Sequence, residues 1–246
     1  MLLLWTSHNM NIGHIFNLVL AYPLLNLLVF FYHYIPDIGV VIILLTVLVR
    51  LILLPSFHKS LKHQRALAAL QPKMNEIKEK YKDDKEAQAK ATMELYKVHK
   101  VNPFSSCLPL LIQLPILIAL YQVFIKSLNG SELVGLYKFV HAPASINPMF
   151  LHWINLSQAN IVMAILAGVL QYYLSRISLP PTASNDSASK MLSYQTLYFL
   201  PAVTVFLGIK FPGGLTLYWV VTTLFGIGQQ YYILHREAKE ALEKAV

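Results

Sequence analysis

Residues 38–54 read IGVVIILLTVLVRLILL, and this stretch decides the class of fold. Of its seventeen residues, only Thr46 and Arg50 are polar. An apolar run of this length is typical of a transmembrane helix. The stretch therefore predicts a membrane-spanning helix that carries one charged side chain, Arg50, within its apolar part.

The composition of the whole chain favours a membrane protein. Of its 246 residues, 56% are hydrophobic and 13% are charged, whereas about a quarter of the residues of a soluble domain are charged. A net charge of +8 would indicate nucleic acid binding in a soluble protein, but lysines and arginines in cytoplasmic loops orient membrane proteins and account for it here. The single cysteine, Cys107, excludes an intrachain disulfide. The first basic residue is Arg50, so a conventional cleaved signal peptide is not expected.

Apolar runs along the chain predict five spans: residues 38–54, 107–125, 159–174, 191–209 and 215–234. Between the second and third spans, residues 126–158 are predicted to form an irregular loop. The tail, residues 235–246, is predicted to be helical.

Residues 15–35 form one further apolar stretch near the N-terminus. Its polar side chains fall on one side of a helix, which favours a helix lying in the membrane interface. A sixth span is the alternative. The predicted organisation has three parts: an interfacial helix in residues 1–37, a five-span core in residues 38–234 with a cytoplasmic helical hairpin at 57–102, and a C-terminal tail at 235–246.

Positive charge is distributed unevenly over the predicted loops. Of the 20 Lys and Arg residues, eleven lie between residues 55 and 102, two follow the third span and three lie in the C-terminal tail. The loops on the other side contain Lys126, Lys138 and Lys210. Because cytoplasmic loops are enriched in positive charge, the helical hairpin and the C-terminus are predicted to be cytoplasmic and the N-terminus to lie outside.

The Lys-rich segment at residues 55–102 predicts two helices that pair with each other. Apolar residues recur at alternating steps of three and four, as in a coiled-coil seam, at Leu67, Leu70, Met74, Ile77 and Tyr81. Pro72 should kink the first helix or begin a new one. The segment Asp83 to Glu86 forms a D-x-x-E capping box that opens the second helix. This helical hairpin either only connects two spans or contacts anionic lipid, ribosomal RNA or a protein partner.

Arg50 is the strongest candidate for a functional residue. A charged side chain deep in a membrane costs about 2.5–3.5 kcal/mol on insertion scales. An arginine near a helix end avoids that cost by extending to water, but Lys59, the next charged residue, follows nine residues later, roughly 13 Å along the helix. No Asp or Glu lies in any predicted span, so a water-filled cavity between helices is the predicted surrounding of Arg50. Thr46, one turn earlier, shares its face.

Other polar residues in the predicted spans are typical of contacts between helices: Gln113, Gln171, Gln195, Thr222 and Thr223. Trp219 is typical of an aromatic belt when it is judged by spacing alone. The chain has no HExxH, GxSxG or P-loop motif, and no histidine lies in a predicted span. An intramembrane hydrolase therefore lacks a nucleophile and base.

Three stretches resemble the YidC family of membrane protein insertases. The longest begins at Gln71-Pro72-Lys73 and continues through YKDDKEAQAKATMELYKVHKVNPFSSCLPLLIQLPILIALYQVF at residues 81–124. It is similar to the family's cytoplasmic hairpin and following span. VRLILLP at residues 49–55 and FPGGLTLYW at residues 211–219 are similar to two further signatures. The resemblance extends from Leu44 to Gln230, with the motifs in the family's order and spacing.

The resemblance implies an all-α integral membrane protein with five transmembrane helices around a hydrophilic groove that is open to cytoplasm and lipid. It implies that Arg50 is the groove arginine and that Gln171 and Trp219 line the groove. Thr46 joins this set because it shares a face with Arg50. The implied location is the bacterial inner membrane.

The implied function is that of an insertase and chaperone for nascent membrane proteins, which is not an enzyme and uses no nucleotide or other cofactor. Its partners would be nascent substrates and the lipid bilayer, with the Sec translocon and the ribosome as further candidates and no DNA. The long basic tail of some members is missing, so strong autonomous ribosome binding is not expected. The alternative is a small-solute transporter or channel that uses Arg50 as an anion site.

Overall fold

The computed structural model describes residues 12–102, 108–128, 133–179, 191 and 193–245. Helix α1 comprises Ile12–Phe16, a π-helical turn at Asn17–Ala21, and Tyr22–Tyr34. The next helices are α2 at Ile38–Ala69, α3 at Gln71–Lys80, α4 at Lys85–Val98 and α5 at Leu108–Leu128. A two-stranded β-hairpin follows, with β1 at Met149–Phe150 and β2 at Ile154–Asn155. Helix α6 is Ile161–Ser178, α7 joins a π-helical turn at Gln195–Phe199 to Leu200–Gly208, and α8 is Gly213–Ala245.

Three of the described helices have the length and apolar composition needed to cross a membrane: Gly13–Tyr34, Ile38–Ala69 and Ile161–Ser178. Leu111–Ser127 and Gln195–Gly208 are shorter apolar helices. The first of the three contains 22 residues, about 33 Å at 1.5 Å per residue. Its length therefore suits the sixth-span alternative as well as the interfacial helix.

Both π-helical turns precede a proline. Pro23 and Pro201 lack the N–H group that would bond to the carbonyl four residues earlier. The chain accommodates this loss by widening the preceding turn. There the Tyr22 N–H donates to the Asn17 carbonyl and the Leu200 N–H donates to the Gln195 carbonyl. Both helices continue beyond their proline.

Helix α2 is longer than the sequence predicted. It does not end near Leu54 but continues through Pro55 to Ala69. Pro55 removes one backbone hydrogen bond, and packing beyond it holds the helix together: Phe57 and Ser60 are buried, and the His58 ring lies 6.1 Å from the Tyr232 ring of α8. The first arm of the helical hairpin is therefore partly an extension of α2.

Contacts near the helix ends establish the relative directions of four helices, α2, α5, α6 and α8. Helices α6 and α8 are parallel, because the Gly213 N–H donates to the Gln158 carbonyl at one end (2.8 Å) and Gln230 Nε2 donates to the Ile177 carbonyl near the other (3.2 Å). Helix α2 runs the same way, since its start lies under the β-hairpin and His58 reaches Tyr232. The rings of Tyr121 and Phe211, 5.4 Å apart, make α5 antiparallel to α8.

The two ends of the bundle differ in charge. One end carries the helical hairpin, the last turn of α6 with Arg176, and the C-terminal part of α8. We call this the basic end and the other the opposite end. The largest fully buried side chains lie mostly between α1, α2, α5 and α8: Leu28, Ile38, Ile42, Leu45, Leu120, Phe124 and Tyr218.

Two helices of the Lys-rich segment, α3 and α4, pair with each other, and the second begins at a different cap from the predicted one. Pro72 lies in the first turn of α3, so it begins a new helix. Helix α4 is capped by Asp84, whose carboxylate accepts from the Ala87 N–H (2.9 Å), and not by Asp83. Lys73 Nζ lies 3.1 Å from His99 Nε2 and the Tyr96 hydroxyl donates to Met74 Sδ (3.3 Å), which makes the arms antiparallel. Neither α3 nor α4 contains a buried residue.

The segment between α5 and α6 is more ordered than the predicted irregular loop. Phe150 pairs with Ile154 in the β-hairpin, and α1 fixes the residues before it. The buried Asn26 donates to the Gly135 carbonyl (2.9 Å) and accepts from the Tyr137 N–H (2.7 Å). Side chains of α1 thus supply the long-range contacts that the loop sequence does not reveal.

Candidate functional site

Arg50 is placed well inside α2. It follows the first residue of the helix, Ile38, by twelve positions, or about 18 Å. Its side chain is half-buried, and its Cζ lies 4.6 Å from the centroid of the Phe57 ring. A guanidinium above an aromatic face is attracted by the negative potential of that face. Phe57 follows Arg50 by two turns, so this contact draws the charge toward the basic end.

The hydrogen-bond donors of Arg50 are left available. An arginine carries five N–H donors, yet none of the hydrogen bonds within the described ranges involves Arg50. No carboxylate occurs in the apolar part of α2, from Ile38 to Leu54, or in the apolar stretches of α5 to α8. A half-buried guanidinium in this state is suited to receive an anionic or polar group in bidentate fashion.

A second polar contact lies near Arg50 and joins two other helices. Gln113 of α5 donates through Nε2 to the hydroxyl of Tyr218 in α8. Tyr218 is 2% exposed, and its hydroxyl is close enough to the Arg50 guanidinium for the two to interact electrostatically. The sequence predicted Gln113 as a contact between helices, and this is confirmed. Tyr218 and Phe57 were missed, since aromatic residues in apolar helices give no separate signal.

Thr46 lies one turn before Arg50 but does not present a free hydroxyl. Its Oγ1 donates to the Ile42 carbonyl of the same helix (2.6 Å), and the residue is 2% exposed. Its place in a hydrophilic groove stays a prediction.

The contacts of Trp219 and Gln171 are with other parts of the bundle, and their place in a hydrophilic groove stays a prediction. Trp219 is half-buried, and its ring meets the edge of Phe211 at 6.3 Å between centroids. Gln171 is half-buried on α6, a helix that packs against α7 and α8. No contact described for either residue reaches the guanidinium. The structure therefore places Phe57 against the Arg50 guanidinium, with Tyr218 within its electrostatic range.

Metal binding finds no support in the described part of the chain. Over those ranges, no three His, Cys, Asp or Glu side chains come close enough together to hold a metal ion.

Comparison with known proteins reveals extensive similarity. A family model described as 60Kd inner membrane protein matches residues 30–240. The membrane protein insertase YidC of Geobacter metallireducens is 38% identical over 220 residues, which cover 87% of this chain and 37% of that protein. The protein of the same name from Geotalea uraniireducens is 39% identical over 217 residues, with the same two shares.

A solved structure is also similar in fold. It is described as an active YidC insertase with the first transmembrane domain resolved, and it superimposes with a TM-score of 0.61 and 29% sequence identity. The match covers 88% of this chain and 46% of that one. This chain spans 37% of the length of the two curated relatives named above. Because the family model matches most of its residues, the chain belongs to the 60Kd inner membrane protein family, the family of YidC insertases that its motifs resemble.

Proposed function

We propose that this protein inserts nascent membrane proteins into the bilayer and assists their folding, without nucleotide hydrolysis and without catalytic chemistry of its own. The observation that carries the proposal is Arg50, a half-buried guanidinium on an apolar helix that makes no hydrogen bond within the described residues. A charge on an apolar helix has a free-energy cost, so its presence favours a functional role. The relatives that bear the name insertase support that use.

The proposed site is a hydrophilic groove within a core of five transmembrane helices, formed by residues 38–54, 107–125, 159–174, 191–209 and 215–234. Support comes from the polar side chains of three helices, Arg50, Gln113 and Tyr218, which lie near one another in an apolar bundle. In this proposal Arg50 is the centre of the groove, Thr46 contributes to its floor, and Gln171 and Trp219 line its sides.

The proposed mechanism is physical. A polar or acidic tail of the substrate approaches Arg50, whose attraction for a carboxylate far exceeds its value in bulk water because the effective dielectric constant is low. The hydrophobic helix of the substrate then moves into lipid, driven by about 25 cal/mol per Å² of apolar surface removed from water. A groove shortens the path over which polar backbone must cross hydrocarbon.

The proposed orientation in the inner membrane places the basic end in the cytoplasm. It follows from the uneven charge, because the helical hairpin, Arg176 and the C-terminal tail share one end of the bundle. The N-terminus, in residues 1–37, would then lie outside. The units are the N-terminal helix, the core at 38–234 with its helical hairpin at 57–102, and the tail at 235–246.

The proposed partners are nascent membrane proteins and the lipid bilayer, with the Sec translocon and the ribosome as further candidates. The helical hairpin is the surface available to a cytoplasmic partner, because neither α3 nor α4 contains a buried residue. Its lysines suit an anionic surface.

Reconstitution tests the function directly. The purified full chain in liposomes should insert a short membrane protein with an acidic translocated tail when no ATP is present, and liposomes without the protein should not. If the proteoliposomes instead take up a small anionic solute and leave the substrate protein outside, Arg50 is the anion site of a transporter and the insertase proposal is wrong.

A further inference from the structure

The turn of the β-hairpin has an unusual backbone. Leu151 and His152 both have positive φ angles, 49° and 65°, and the Trp153 N–H donates to the Phe150 carbonyl (3.0 Å). Within the three-residue connection, Phe150 to Trp153 form a β-turn of the kind that favours Asn-Gly, because both central residues adopt left-handed backbone angles. A side chain with a Cβ is strained there, and leucine and histidine are costly choices.

The turn is held firmly at the start of α2. The carboxylate of Asp37 caps α2 by accepting from Gly39 N–H (2.9 Å), and its other oxygen accepts from Leu151 N–H (2.7 Å). The Phe150 ring packs on the bare Cα of Gly39, where a Cβ would overlap it. These contacts impose the strained backbone and fix the turn at the level where the apolar run of α2 begins.

The same β-hairpin also holds the start of α8. The N–H groups of Gly213 and Gly214 donate to the carbonyls of Gln158 and Leu156, which follow β2 (2.8 and 3.0 Å). The β-hairpin thus ties together the starts of α2 and α8 at the opposite end of the bundle. Both helices therefore set the position of its tip relative to the membrane.

The tip presents apolar side chains away from the protein. Trp153 is 88% exposed and Leu151 is 56% exposed, whereas their neighbours Phe150 and Ile154 pack against the core. A strained backbone that carries large side chains where glycine would be favoured indicates that these side chains have a function. Tryptophan favours the headgroup region of a bilayer, where the ring is partly buried and its N–H stays hydrated.

We propose that the tip, Leu151 to Trp153, inserts into the membrane interface at the opposite end and takes lipid as its partner, so that the β-hairpin anchors the starts of α2 and α8 to the bilayer surface. Lipid is the favoured occupant because the tip continues the surface at which the apolar helix α2 begins. This inference requires only that the chain resides in a membrane and does not depend on insertase activity.

Tryptophan fluorescence in vesicles tests the proposal. With Trp5 and Trp219 changed to Phe, Trp153 is the sole tryptophan of the full chain. In phosphatidylcholine vesicles its emission should be blue-shifted, and it should be quenched more by lipids brominated near the headgroup than by lipids brominated near the chain end. Emission as in water without quenching, or emission that soluble quenchers and brominated lipids both fail to reduce, would overturn the proposal, the second result in favour of a protein partner.

A turn variant provides the matched control. Leu151→Asn with His152→Gly supplies residues that tolerate the backbone of the turn, so the β-hairpin should resist proteolysis at least as well as the parent. Quenching of Trp153 by the shallow lipid should fall about twofold, because the apolar neighbour that helps to hold the tip in lipid is gone. Unchanged quenching with unchanged resistance would show that the Leu151 side chain is not part of an anchor.

Discussion

Arg50 and the Lys-rich helical hairpin keep their positive charge in contrasting surroundings. Arg50 is a single charge on an apolar helix, with Phe57 against it, Tyr218 nearby and no hydrogen bond within the described residues. Residues 55–102 contain eleven Lys and Arg residues, and neither α3 nor α4, which make up most of the helical hairpin, contains a buried residue.

The contrast indicates that the two regions have different electrostatic roles. A charge in a medium of low dielectric constant acts strongly on one group at short range. Charges in water are screened, with a Debye length of about 8 Å at physiological salt, and they act together on an extended anionic surface. Arg50 is therefore expected to discriminate among substrates, and the helical hairpin is expected to attract partners with little discrimination.

The largest expected effect comes from Arg50 itself. Arg50→Lys keeps the charge but loses the planar fork, so we expect it to retain much of the activity. Arg50→Ala should reduce insertion of a substrate with an acidic tail by about tenfold, which corresponds to about 1.4 kcal/mol, and should affect a neutral tail much less. Arg50→Glu should reduce insertion of the substrate with the acidic tail most, because like charges repel. An insertion assay normalised to protein abundance measures all three.

A purely structural role for Arg50 predicts a different set of insertion losses. If Arg50 only anchors α2, the Ala and Glu variants should lower the amount of protein and reduce insertion equally for every tail. Equal losses after normalisation would mean that electrostatic capture is wrong even if the protein is an insertase. Arg50 would then serve to keep the groove hydrated.

Deleting residues 87–97 from α4 is expected to have an intermediate effect. The spans should still fold, because neither α3 nor α4 contributes a buried residue, and insertion should fall several-fold for acidic and neutral tails alike. Raising the salt concentration should narrow the difference between parent and deletion, since exposed charges are screened. Full activity of the deletion would reduce the helical hairpin to a connector, and loss of the protein from the membrane would show that the core needs it.

The sequence predicted the helices of both regions better than it predicted their contacts. Each predicted span overlaps a helix over most of its described residues, because apolar runs of this length leave few alternatives. Cys107 and residues 180–190, which carry the predicted start of the second span and most of the loop after the third, lie outside the described residues. The extension of α2 beyond Pro55 was missed, because a local signal for a break was overruled by the burial of Phe57 and Ser60.

The candidate site was predicted only in part, for a physical reason. Arg50 is conspicuous because one charge interrupts an apolar run. Gln113 and Tyr218 are 105 positions apart, and their contact depends on how α5 and α8 are rotated against each other. Periodicity predicts which residues share a face, but it does not predict which faces meet. The same limit hid the two hydrogen bonds of the Asn26 side chain, which donates to the Gly135 carbonyl and accepts from the Tyr137 N–H.

The smallest expected effect concerns a single contact within the helical hairpin. Partial burial raises the pKa of the Tyr96 phenol, with Lys78 acting in the opposite direction, and the phenol donates to Met74 Sδ (3.3 Å). Because the folded state favours the protonated phenol, its contribution to stability is complete below the ordinary tyrosine pKa of about 10 and is lost as the pH rises through the higher pKa of the folded state.

Spin labels at Glu79 and Lys90, in a chain with Cys107 replaced, should report a distance distribution that broadens above a pH of about 10. Tyr96→Phe removes the titrating group and a weak hydrogen bond to sulfur, so its distribution should differ little near neutral pH and should broaden less in alkali. Equal broadening in both proteins would assign the alkaline change to the surrounding lysines, and the Tyr96–Met74 contact would then have no measurable part in holding the two arms together.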